Sequence, residues 1–458
     1  MGTTHDLVIR GGNLVFPDGV RRADLAVDDG VFTDIGAIPP ESGPEIDARG
    51  CHVLPGAIDA HVHLGVEICG ERSRDGYGSG TLAAVCGGVT TVGDFTVQAT
   101  GEGLLASVKR RLESADEGSW CDWFLHANIT SPSDAVLAEI PEVVEAGVTS
   151  FKLFLAYPGM AVGIDTLTDV LWAVKKAGGL VMVHAEDQRR IEVAVQELLD
   201  RGKRDAIHFF DSRPAEAEAK AVELVGLAAI DTGQPVYLVH VSSAKGLAAA
   251  LGMRSRGARL HIETCPQYLL LDRPDSGIEH PEHLVCAPPL RSSSDRKALL
   301  ASLSSGLIDV LATDHCPFTR AQKEMHRDDF RQIPGGLPGV ETLLPLAYHL
   351  ALGEWLPMER LAELLALNPS RLFGLDGTKG AIETGLDADF VVMDPRKETM
   401  VSVADLHSNT DYSPWEGMSL RGSLREVYLK GRLAATRNSR DVMEPVGLRR
   451  GRFIEASL

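Results

Sequence analysis

Five residues that bind metals well sit at the ends of apolar runs in this sequence. His61 and His63 close Ala57-Ile-Asp-Ala-His-Val-His63, His184 closes Gly179-Leu-Val-Met-Val-His184, and His240 closes Val236-Tyr-Leu-Val-His240. Asp314 closes Ile308-Asp-Val-Leu-Ala-Thr-Asp314. Short apolar runs bounded by turn residues read as buried strands. In a strand, residues two apart share a face, so His61 and His63 can point the same way. A single histidine at a strand end is usually a satisfied structural residue. An H-x-H pair joined by three further donors at other strand ends instead points to a metal site. Imidazole and carboxylate together suit zinc, with manganese, iron or cobalt as alternatives.

A sixth residue fits the same pattern. Lys152 lies inside Ser150-Phe-Lys-Leu-Phe-Leu155, where an unpaired ammonium is expensive to bury. Taken alone, the run suggests a lysine whose stem is buried and whose head reaches water. The other donors change that reading, because they exceed what one catalytic zinc takes and suit two ions sharing a bridge. A cationic lysine would be repelled there, whereas a lysine carbamylated by carbon dioxide offers one oxygen to each ion. Two Zn2+ against carbamate, aspartate and a bridging hydroxide leave a charge of about +1, which a buried site tolerates.

Something must bring these strand ends together. Strand candidates fall near 52–60, 89–95, 122–128, 149–155, 179–184, 235–241, 259–264 and 308–313, with helical runs such as 215–229 and 296–303 between them. Strand and helix alternating in this way predict a (β/α)8 barrel, the fold that places its chemistry at the C-terminal ends of its strands. Outside it, both termini are β-rich. Leu7–Arg10 and Leu14–Phe16 flank Gly11-Gly12, Leu25–Val27 and Val31–Ile35 flank Asp28-Asp-Gly30, and 388–393 and 427–433 have the same character. The expected organisation is a small β-sandwich from residues 1–54 and 380–436, a catalytic barrel over 55–379, and a surface extension over 437–458.

Composition narrows the function further. The 458 residues are 44% hydrophobic and 24% charged, with a net charge of -19, so no basic stripe is present to neutralise nucleic-acid phosphates. No apolar run resembles a membrane span, and MGTTHDLVIRGG does not read as a signal peptide. Seven scattered cysteines, none in C-x-x-C spacing, suit free thiols in a reducing cytoplasm.

The runs PGAIDAHVH, FKLF, VHAED, LVHVSS, ETCPQYL, CAPPLR and ATDHCPF occur in the order found in the cyclic amidohydrolases. Together with KGAIETGLDADFVVMDP and DYSPWEGM, they make the chain resemble the dihydropyrimidinase and hydantoinase branch from about residue 5 to 435. The resemblance implies a (β/α)8 barrel with a β-sandwich built from both termini, in a homotetramer or homodimer. It also implies two divalent metals, with His61, His63 and Asp314 on one, His184 and His240 on the other, and carbamylated Lys152 between them. The implied activity is hydrolysis of a cyclic amide to an N-carbamoyl amino acid or β-amino acid. Asp314 would carry the proton, and the Tyr157 hydroxyl would meet the oxyanion. Backbone near Ala287 and Gly335 would hold the substrate ring.

Sub-family features favour the same branch. Dihydroorotases carry an arginine two residues after the H-x-H pair, where this chain has Gly65, and Tyr157 is the hydantoinase residue that allantoinases typically lack. Ala287 and Gly335 replace the usual serine and asparagine, and the loop 65–77 is unusually charged. An allantoinase or another cyclic imide or lactam hydrolase is the alternative enzyme, and a metal-free scaffold relative is the alternative of another class. His315 is expected to point away from Asp314 in a structural role. Cys316 reads as a small buried hydrophobe, and His126 and His261 have no matching partners.

Overall fold

The computed structural model describes residues 4–99, 101–115 and 118–458, so the first three residues of the expected terminal domain lie outside it. Eight parallel strands form one sheet: β1 (Ala57–Val62), β2 (Val89–Phe95), β3 (Asp122–Asn128), β4 (Ser150–Phe154), β5 (Leu180–His184), β6 (Val236–Leu238), β7 (Leu260–Thr264) and β8 (Val310–Leu311). Their order in the sheet is their order in sequence. Just beyond β8, His315 bridges to Val62, and the His63 N–H donates to the His315 carbonyl at 2.8 Å. The two edges thus meet in the strand-end layer that carries His63 and Asp314. This is the expected (β/α)8 barrel.

β1, β2, β3 and β5 are buried at every position, which explains their near-continuous apolar sequence. Ile58, Phe124, Met182, Tyr237 and Val310 fill the barrel, and Phe373 packs with them. The helix Ala215–Thr232 covers the outside with an alanine-rich face and ends at Gly233 in the left-handed conformation. Ser293–Ser304 begins with a reciprocal cap between Ser292 and Asp295.

The terminal segments pair as expected, in one nine-stranded sheet. Its strands divide differently from the expectation in three places. Leu7–Phe16 is a single strand, not a hairpin, because Gly11 at φ 62° forms a bulge that shifts the register without reversing the chain. The run 427–433 is a hairpin, turning at Lys430-Gly431 with both residues at positive φ. The run 52–60 is two strands. His52–Pro55 pairs with Phe390–Met393 in the terminal sheet, and the chain then passes Gly56 into β1.

The tail is more than a surface extension. Met443–Pro445 adds a strand to the terminal sheet, and residues 451–457 then run across to the barrel. There the Trp123 N–H donates to Arg452 O, the Ile454 N–H to Trp123 O, and the Ala456 N–H to Gly147 O. Ile454 and Ala456 join the barrel-filling cluster, because they shield apolar side chains that the strands leave uncovered. Among the described residues, no helix is long and apolar enough to cross a membrane.

Candidate active site

β1 aims His61 and His63 at Asp314 from across the barrel closure. His61 Nε2 lies 3.2 Å and His63 Nε2 3.0 Å from Asp314 Oδ1. Burial works against the Asp314 charge, but His61 and His63 outweigh it and hold the carboxyl below its usual value. On the other side, His184 Nδ1 and His240 Nε2 face each other at 2.9 Å. The His61 and His240 rings stack at 5.6 Å and join the two groups. Burial holds His61, His184 and His240 below the usual imidazole value, which favours the neutral form that a metal needs.

Outer partners fix which nitrogen of each ring faces inward. His61 Nδ1 is 2.8 Å from Glu263 Oε1, leaving Nε2 for the centre. His184 Nε2 is 2.9 Å from Glu186 Oε2, leaving Nδ1. Glu263 also accepts from the Tyr237 hydroxyl and the His240 N–H, each at 2.8 Å. Glu186 is paired in turn with Arg213, whose Nε donates at 2.9 Å. Burial opposes the Glu186 charge, but Arg213 and His184 hold its carboxyl well below the normal range. Carboxylates behind imidazoles in this way orient metal ligands. Glu186 and Glu263 stand in VHAED and ETCPQYL, and the available signal was a carboxylate at or just past the end of a strand candidate.

Lys152 is buried in β4, and its Nζ has no hydrogen bond to a described residue. It lies 5.2 Å from the centre of the Phe95 ring, against which His61 and His63 also pack. Burial pulls its amine down to about 8. Tyr157 lies just past β4 with its ring 4.8 Å from that of His184 and the Arg213 guanidinium 5.0 Å from its centre. Burial pushes its hydroxyl up, so it remains a donor. Tyr157, His240 and Asp314 all have positive φ, at 82°, 42° and 54°. Non-glycine residues pay for that conformation and cluster where function needs it.

Ala287 and Gly335 lie beside each other, since a Cβ on Gly335 would stand 3.8 Å from Ala287 N. The Gly336 N–H donates to Val285 O and the Cys316 N–H to Leu337 O, so both segments border the strand end carrying Asp314. His315 turns away from Asp314 as expected, meeting Asp75 at 3.0 Å and accepting from the Gly339 N–H. His126 is satisfied inside the barrel by Ser150 and Ala60, and the buried Cys316 thiol is pushed up by burial.

The donors fit divalent metal on two counts. They are imidazole nitrogens and a carboxylate, and the buried His61 Nε2, the nitrogen left for the centre, has no hydrogen-bond partner. The residues 52–434 match the model of the amidohydrolase family. The chain belongs to that family. Within it, the chain is 35% identical over 440 residues to a D-hydantoinase of Ralstonia pickettii, covering 95% of this chain and 96% of the relative. It is 36% identical to a D-phenylhydantoinase of Escherichia coli strain SE11, covering 93% of each. The crystal structure of a dihydropyrimidinase from Brevibacillus agri NCHU1002 superposes with a TM-score of 0.93 at 32% identity, covering 100% of this chain and 99% of the other. This amidohydrolase is therefore a cyclic amidohydrolase of the hydantoinase and dihydropyrimidinase branch, with the residues of a divalent-metal site.

Proposed function

We propose that this enzyme opens the ring of hydantoins or dihydropyrimidines to give N-carbamoyl amino acids or N-carbamoyl β-amino acids. The observation that carries the reading is the convergence of His61, His63 and Asp314 with His184, His240 and Tyr157 at one barrel end. His61, His63 and Asp314 would hold one divalent ion and His184 and His240 a second, most simply Zn2+, with carbamylated Lys152 as the shared anion. A buried amine near 8 supports that role, because its neutral fraction at physiological pH can attack carbon dioxide and release a proton. The ions, when bound, lower the pKa of water to about 7 and polarise the carbonyl to be cleaved.

The chain's own groups complete the reaction. Asp314 takes the proton of the attacking water and delivers it to the ring nitrogen as the carbon–nitrogen bond breaks. The Tyr157 hydroxyl donates to the carbonyl oxygen as it gains charge, and Arg213 packs against the tyrosine ring. Backbone around Ala287 and Gly335 holds the ring's amide edges, so the replacements there keep the backbone contacts. The working assembly is a homotetramer or homodimer in the cytoplasm, and sedimentation of purified protein measures its size.

The test is a panel of dihydrouracil, both enantiomers of 5-substituted hydantoins, allantoin and dihydroorotate on metal-replete enzyme. Turnover confined to the first two classes supports the proposal. Preferred turnover of allantoin or dihydroorotate overturns it.

A further inference from the structure

Away from the barrel-end site, four side chains form a second set of metal donors. His280, Glu282 and His283 lie on the segment leading into Cys286 and Ala287, and Glu324 closes the helix Arg320–Glu324. One ligand atom from each lies within 4.8 Å of the other three. His280 Nδ1 is 2.9 Å from Glu282 Oε1, and His283 Nε2 is 2.8 Å from Glu324 Oε1. The third link, His280 Nδ1 to Glu324 Oε1, spans 3.9 Å.

These contacts leave a charge problem. The Glu282 side chain is 2% exposed, and its only side-chain hydrogen bond to a described residue is from His280. The nearby cation does not pair with it, since Lys323 Nζ donates instead to Val285 O at 2.7 Å. A buried carboxylate needs a compensating positive charge. Protonated imidazoles could supply one, but the His280 and His283 rings stack face to face at 4.9 Å with only 12° between their planes. Two stacked imidazolium ions repel, so one proton is the low-cost limit. His280, raised by its contact with Glu282, takes it, and burial keeps His283 neutral. Two carboxylates against one proton leave a net negative charge. One divalent cation balances both carboxylates and uses the imidazoles in their neutral form. Tyr412 stacks on His283 at 5.3 Å and braces the ring from behind.

We propose that His280, Glu282, His283 and Glu324 form a further divalent-metal site, distinct from the barrel-end centre. Two imidazole nitrogens with two carboxylate oxygens select a borderline transition ion such as Zn2+ over Mg2+ or Ca2+, which prefer all-oxygen shells. Donors bound at about 2.0–2.2 Å need only small side-chain shifts from the present spacing. The ion fastens the 280–285 segment to the helix Arg320–Glu324. Lys323 on that helix and the Gly336 N–H both donate to Val285 O, so the fastening reaches the backbone beside Ala287 and Gly335. The site serves to brace these two segments, and it stands whether or not the substrate assignment does.

Equilibrium dialysis of metal-replete enzyme against Zn2+, followed by metal analysis, tests the proposal. The wild type should hold one more Zn2+ per chain than the double variant H280Q/H283Q. E324Q, a change at a partly exposed position, should show the same loss and decides the matter if the double variant does not fold. A folded variant that holds as much Zn2+ as the wild type overturns the site.

Discussion

Tyr157 is the residue whose contribution can be separated most cleanly from metal binding. Its ring packs on His184 while its hydroxyl stays protonated, so Tyr157→Phe removes one donor and little packing. Losing a donor to a developing oxyanion costs about 2.7–4 kcal/mol, or 10²–10³ in rate. Steady-state kinetics should show that fall in kcat with the metal content of the purified variant unchanged. Glu186 acts one step further out, through His184. Glu186→Gln keeps the shape but weakens the hydrogen bond that fixes the ring and leaves Arg213 without its buried counter-charge. Metal affinity measured by competition with a chelator should fall by about 10–100-fold, the usual cost of losing such a partner. The six proposed ligands were legible because each closes or interrupts an apolar run. Glu186 and Glu263 were not, since the purpose of a buried carboxylate in or just past a strand depends on which imidazole the fold sets beside it.

The barrel elements were legible for a related reason. Strands buried on both faces leave continuous apolar runs, and β2, β3, β4, β5 and β7 lie within a residue of where those runs fall. The same continuity hid the break at Gly56, where one run serves two sheets. Gly11-Gly12 looked like a turn because glycine suits turns and bulges equally, and only the partner strand decides between them. Gly93 of β2 shows how tightly the interior is packed. A Cβ there would meet Phe124 Cζ at 2.7 Å, His126 Nε2 at 2.8 Å and Ala60 O at 3.0 Å. Gly93→Ala should lower stability by about 1–3 kcal/mol, as overpacking does, and urea unfolding checks it.

Across the whole molecule, the barrel, the terminal sheet and the tail meet at one buried charge. Lys379 Nζ reaches Asp122 of β3 at 2.7 Å, Asp387 at 2.9 Å and Asp389 at 2.5 Å, and the Arg452 N–H donates to Asp122 Oδ1 at 3.0 Å. The three carboxylates hold the ammonium well above its usual value despite burial. Lys379→Met removes the buried cation they share, leaving Asp122 and Asp387 only the more exposed Lys430 and Arg452 as partners, and should cost about 3–5 kcal/mol, read as a lower urea midpoint. Neither this network nor the tail's return to the barrel was legible in sequence. Phe453, Ile454 and Ala456 stand among arginines and glutamate, and three apolar residues in such a setting carry no periodicity.

Metal analysis of Lys152→Ala tests whether carbamylated Lys152 is the shared anion of a two-metal centre. The variant should lose bound metal and hydrolysis together, and short carboxylic acids added to it should partly restore both. A variant that retains two metals and the full rate would contradict the claim and leave Lys152 as a packing residue.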